Sequence, residues 1–233
     1  GLWLVARQLR RMPGRSDRAA LLSLPAWGAL IRVNQHLFVR TLCLLGATAY
    51  FTSQGASFGD DVLAANAVLL QFVMMTSYAL DGFAQAAESE VGRAVGQNDW
   101  QRFARSVGAA TRFSLITATA ASGLLWLCGP ALIHLLTDIP EVRALATLYL
   151  PWMVAMPLVA VWSYLLDGIF IGATATREMR NTLVVSLLAF IGLWPLLEGF
   201  GNHGLWLAFL LFTSVRSAVL GGYYLHHRRH HWR

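Results

Sequence analysis

The chain has 233 residues, 56% hydrophobic and only 13% charged, against roughly 25% charged in an average soluble domain. So little polar surface excludes a water-soluble domain, and the apolar content excludes disorder. The net charge of +6 comes from 18 arginines against 12 acids, and the two cysteines, Cys43 and Cys128, sit inside apolar runs as small core residues, which excludes a disulfide framework or a zinc site.

The elements follow from the gaps between charges, because about 20 apolar residues at 1.5 Å each cross a ~30 Å hydrocarbon layer. Gly1 to Val5 is apolar and is followed at once by arginines, the order of a truncated helix end rather than of a signal peptide. Residues 1–36 are thus expected to be the end of a cut helix and a cytoplasmic linker. Six spans make up residues 37–225: Thr41 to Gly59, Val62 to Ala87 with Asp81 inside, and Arg112 to Asp138. Then come Ala144 to Thr176 with Asp167 inside, Thr182 to Leu197, and Leu205 to Leu225 with Arg216 inside. Between the second and third, Glu88 to Arg112 mixes charge with Val91, Val95, Trp100 and Phe103, which predicts a short amphipathic helix at the interface. Residues 226–233 form a basic tail, in which four histidines interleaved with arginines fit an anchor on anionic lipid. The fold class expected is an all-α polytopic transmembrane bundle.

Arginines set the direction. Sixteen flank the spans on one side, Arg143 stands alone on the other, and Arg216 lies within the sixth span. Short loops rich in arginine stay on the cytoplasmic side, so both termini are expected there. This distribution along membrane boundaries also argues against a nucleic-acid binder.

Two segments echo each other: Tyr78-Ala79-Leu80-Asp81-Gly82 and Tyr164-Leu165-Leu166-Asp167-Gly168. Both lie on helices that run in the same direction. A carboxylate in hydrocarbon is costly and marks a functional site facing the bundle interior, or else a structural pair that locks helices together; each following glycine allows close packing. Arg216 and Asp167 each stand nine residues from the end of their spans, at a matched depth of ~13 Å, which makes them candidate partners. Asp81, Asp167 and Arg216 are therefore the candidate proton- or cation-coupling residues. Gln54, Asn66, Gln71, Tyr78 and Tyr164 are candidates to line a substrate cavity, the polar ones among them also fitting interhelical hydrogen bonds. Pro130, Pro151, Pro157 and Pro195 fall in spans and favour kinks. No His-Glu-x-x-His, Gly-x-Ser-x-Gly or phosphate-binding glycine loop occurs, and Gln85-Ala86 stands where a membrane phosphotransferase motif beginning with Asp81-Gly82 needs Ala-Arg. Neither enzyme chemistry nor a cofactor or metal is expected.

YALDGFAQAA (78–87), YLLDGIFIGATATREMRN (164–181) and GNHGLWL (201–207) resemble the C-terminal half of the multidrug and toxic compound extrusion (MATE) transporters, in their DNA-damage-inducible F branch. The resemblance implies two six-helix lobes around a cavity that opens alternately to either side. It implies export of small cationic or amphipathic compounds against protons or sodium, from the inner membrane of a bacterium. It also implies that the partner of this chain is a first six-helix lobe, bearing an aspartate on its first helix, that the sequence does not contain. Asp167 falls on an acidic tenth-helix position tied to cation coupling in another branch. Asn34 is followed by Gln35 and His36 where the branch shows Arg-Asp. Two alternatives stand beside an efflux antiporter: a flippase for a lipid-linked saccharide, which needs several arginines in its cavity, and a non-transporting membrane scaffold.

Overall fold

A computed structural model describes residues 24–230. Gly1 to Val5, the first five arginines and the last three residues of the tail lie outside it. The chain divides into two units, Gly1–Gln35 and His36–Arg233, and the second carries the helix bundle.

Six long helices occur among the described residues: α1 (Leu24–Ala56), α2 (Asp60–Gly96), α3 (Trp100–Leu136), α4 (Pro140–Gly172), α5 (Thr176–Leu197) and α6 (Gly201–His230), with a 3-10 turn, Glu198–Phe200, before the last. Their ends obey local chemistry. Asp60 and Asp61 place negative charge at the start of α2, where the helix dipole favours it. Asp99 caps α3 by accepting the Arg102 backbone N–H at 2.8 Å. Pro140 opens α4, a position that needs no N–H. Arg143 closes the end of α3 by donating to the carbonyls of Thr137 and His134 and to Asp138, which explains the one cation in otherwise acidic loops.

By length and composition, four helical stretches suffice to cross a membrane: Asp60–Gly96, Trp100–Leu136, Pro140–Gly172 and Thr176–Arg228, the last containing α5, the turn and all but the end of α6. The six expected spans thus correspond to six helices but to four such stretches. In α1, Thr41, Thr48 and Thr52 dilute the apolar run, each donating its hydroxyl to the carbonyl four residues back.

The expected amphipathic interface helix at 88–112 is not a separate element. Its residues continue α2 to Gly96, turn at 97–99 and begin α3. The reason is packing: Val91, Ala94 and Phe103 join a core with Leu165, Ile169 and Phe170 of α4 and Leu220 of α6, so the apolar face of the segment is covered by helices. The start of the basic tail is helical, since α6 runs on to His230, and His227 Nε2 lies 3.3 Å from Glu178.

Helix α4 is the central element, packed on α2, α3 and α6. Its contact with α2 is set by Gly168 and Gly172, one turn apart. A Cβ at Gly168 would lie 2.2 Å from the Ala84 carbonyl oxygen, and one at Gly172 would lie 2.5 Å from that of Glu88. The two backbones therefore touch, as small residues four apart permit in membrane helices. A second core joins Phe51 of α1 to Trp206 and Phe209 of α6, with Phe190 of α5 against Phe209.

Candidate functional site

Asp167 precedes Gly168, where α4 touches α2. Asp167, buried at 5% exposure, accepts hydrogen bonds through one carboxylate oxygen, Oδ2, from both Arg216 of α6 and Arg40 of α1. Three helices are thus joined at one carboxylate. The Arg216 guanidinium also stands 5.6 Å from the centre of the Tyr164 ring, a cation–π distance, and the Tyr164 hydroxyl is hydrogen-bonded to Ser77 of α2. The Nε atoms of Arg40 and Arg216 are buried without a partner among the described residues.

Asp81 is different. It is partly exposed and makes no ion pair among the described residues, although the charges of Arg40, Asp167 and Arg216 act on it. With all four groups ionised the cluster is neutral. With Asp81 protonated it carries one positive charge.

Next to this cluster lies a cavity of about 450 Å³ walled by α1, α2, α4 and α6. Of the five sequence candidates for its lining, Gln71, Tyr78 and Tyr164 line it. Gln54 and Asn66 do not: Gln54 accepts from Trp194 Nε1 at 3.0 Å, while Asn66 exchanges two side-chain hydrogen bonds with Asn202 and accepts from Trp206 Nε1 at 2.9 Å. Asn66 is 2% exposed, and these bonds satisfy it in the core. The apolar part of the wall includes Met156, Phe209 and Phe212.

Sequence reasoning missed Arg40, which reads as the charge that bounds the first span. It stands sixteen residues from either end of α1. The apolar Leu37, Phe38 and Val39 just before it are the signal that the helix continues through this charge.

The MatE family pattern matches residues 37–196. The chain is 41% identical over 204 residues to DNA damage-inducible protein F of Escherichia coli, covering 88% of this chain and 44% of that one. It is 26% identical to a probable multidrug resistance protein NorM of Agrobacterium fabrum, over 84% of this chain and 45% of the relative. Among solved structures, a Vibrio cholerae MATE transporter, VcmN, superimposes with a TM-score of 0.85 at 18% identity, over 99% of this chain and 54% of that one. The chain spans about half the length of the curated relatives it matches. With its apolar helices, a family match over most of its length makes it a multi-pass membrane protein: the chain belongs to the MatE family of transporters.

Proposed function

We propose that the chain is the C-terminal lobe of a proton-coupled or cation-coupled multidrug efflux antiporter of the bacterial inner membrane. The observation that carries this reading is the contrast inside one cluster: Asp167 is neutralised twice over by Arg40 and Arg216, whereas Asp81 has no ion-pair partner among the described residues. A carboxylate that stands beside this cluster but outside its ion pairs is able to exchange a proton with water without breaking them. Asp81 therefore takes a proton from one side and releases it to the other, and Asp167 with its arginines is the fixed counter-charge. The flippase alternative needs an arginine-lined cavity; of the two arginines, only Arg216 is in the wall.

The test joins the chain to a first lobe in a proton-driven efflux assay. Asp81→Asn is expected to fold and to lose coupling to pH; normal efflux with an unchanged pH dependence overturns the carrier role. In the exporter reading the isolated chain confers no efflux, because one lobe exposes its polar cavity face to lipid. Orientation is tested by cysteine accessibility, with positions 98 and 230 expected on the cytoplasmic side and position 201 on the other. Labelling of 98 and 201 from the same side overturns that topology.

A further inference from the structure

Two residues near the start of α5, Glu178 and Arg180, stand about 200° apart around the helix, and each meets a histidine of a different neighbour. His227 Nε2 of α6 lies 3.3 Å from Glu178 Oε1. His36 Nδ1 of α1 lies 3.1 Å from Arg180 Nη1. Met179, between them, is 1% exposed and packs in the core with Phe170 of α4 and Leu220 of α6, so apolar contacts anchor the start of α5 on that side as well.

The two histidine contacts depend on protons with opposite sign. A guanidinium only donates, so His36 accepts at Nδ1 and carries its hydrogen on Nε2; the contact requires the neutral ring. Arg180 Nε and Nη2 donate to Asn181 Oδ1 at 3.1 and 2.7 Å, which fixes the guanidinium without His36. Protonation turns the His36 Nδ1 into a donor facing a cation. Arg40, one turn further along α1 and paired with Asp167, is a second guanidinium nearby, and none of the ion pairs among the described residues involves His36. At His227 the sign is reversed. Its Nε2 donates to a carboxylate, a bond that strengthens when the ring becomes a cation, with the Phe170 ring edge-on at 6.0 Å and the His226 ring beside it at 6.1 Å. Histidine is the side chain that changes charge between about pH 5 and 8.

We propose that the start of α5 is a proton-operated switch: in acid it releases α1 as His36 charges against Arg180, and it holds α6 more firmly as His227 charges beside Glu178. The switch goes beyond the efflux reading and does not depend on it. In the orientation proposed above this end of the bundle is cytoplasmic, so the switch answers to the proton concentration on the side where an antiporter discharges its protons. The helix it frees is the one that carries Arg40.

Spin-label distances on the 233-residue chain in phosphatidylcholine nanodiscs test it, with Cys43 and Cys128 replaced by alanine and labels at the exposed positions 38 of α1, 184 of α5 and 225 of α6. On going from about pH 8 to about pH 5, the 38–184 distribution is expected to shift reversibly to longer distances, while the 184–225 distribution grows no wider. His36→Gln, whose amide oxygen accepts from Arg180 at either pH, is expected to abolish the shift. If that variant fails to fold, His36→Asp decides, since its carboxylate also accepts from Arg180 at both. An unchanged 38–184 distribution, a shift that persists in whichever variant folds, or a 184–225 distribution that widens in acid overturns the proposal. These distances do not require transport, so failure of the efflux reading leaves the outcome of this test standing.

Discussion

Tyr78 to Gly82 on α2 and Tyr164 to Gly168 on α4 share the pattern Tyr-x-Leu-Asp-Gly, yet the fold uses them in opposite ways. On α4 the tyrosine supports Arg216, the aspartate joins three helices, and the glycine lets α2 touch the backbone. On α2 the tyrosine is 72% exposed, the aspartate has no ion pair among the described residues, and nothing lies within 4 Å of a Cβ built on the glycine. A local motif therefore does not carry its role with it. The helix it sits on does, and α4 is the one surrounded.

The sharpest test of this contrast is the pair of aspartates. Asp167→Asn leaves one buried and one half-buried guanidinium, those of Arg216 and Arg40, facing an amide, and breaking a buried ion pair on one side costs about 3–5 kcal/mol; a fall of that size is expected in equilibrium unfolding in detergent. Arg40→Gln and Arg216→Gln should each cost less, because Asp167 keeps the other arginine. Asp81→Asn should leave stability nearly unchanged. Equal losses at both aspartates would erase the distinction drawn between them.

The two glycines come next. Gly168→Ala pushes a methyl to 2.2 Å from the Ala84 carbonyl oxygen, so α2 and α4 must separate, at a cost of about 1–3 kcal/mol for overpacking. The same change at Gly82 meets open space and removes a helix-interior glycine, a gain of roughly 0.5–1 kcal/mol. Opposite signs in thermal unfolding are expected; a loss at Gly82 as large as that at Gly168 would mean that α2 has a partner at this point.

What the sequence made legible is what charge and apolar length control. The positions of α2 to α6 follow from the gaps between charges, and the depth match of Asp167 and Arg216 places them within reach of each other. Arg40 was not legible, because an arginine before an apolar run marks a membrane boundary equally well. Nor was the fate of Gln54 and Asn66: their partners Trp194, Asn202 and Trp206 lie at least 136 residues away, and only the packing of α5 and α6 on α1 and α2 brings them together. The amphipathic segment at 88–112 failed for a related reason, since an apolar face looks the same whether lipid or a helix covers it.

The turns that follow these two helices also differ in what they hold. After α2 and after α4 the chain closes with the same bonds: Asp99 N–H to Ala94 carbonyl at 2.9 Å, and Ala175 N–H to Phe170 carbonyl at 2.8 Å. Each bond spans a residue at positive φ, Asn98 at 54° and Thr174 at 59°, the left-handed closure that usually employs glycine. Asparagine tolerates this region, while a β-branched residue is strained there, by about 1–2 kcal/mol for a Cβ against the following carbonyl. Thr174 also loses little besides, since its hydroxyl bonds only the neighbouring Ala173 carbonyl among the described residues. Thr174→Gly is therefore expected to raise stability by about 1 kcal/mol, after the entropy glycine adds to the unfolded chain, whereas Asn98→Gly should change it by no more than a few tenths. Thermal unfolding of the two variants side by side checks this. A gain at Asn98 matching that at Thr174 would show that the side chain at this turn is not what strains it.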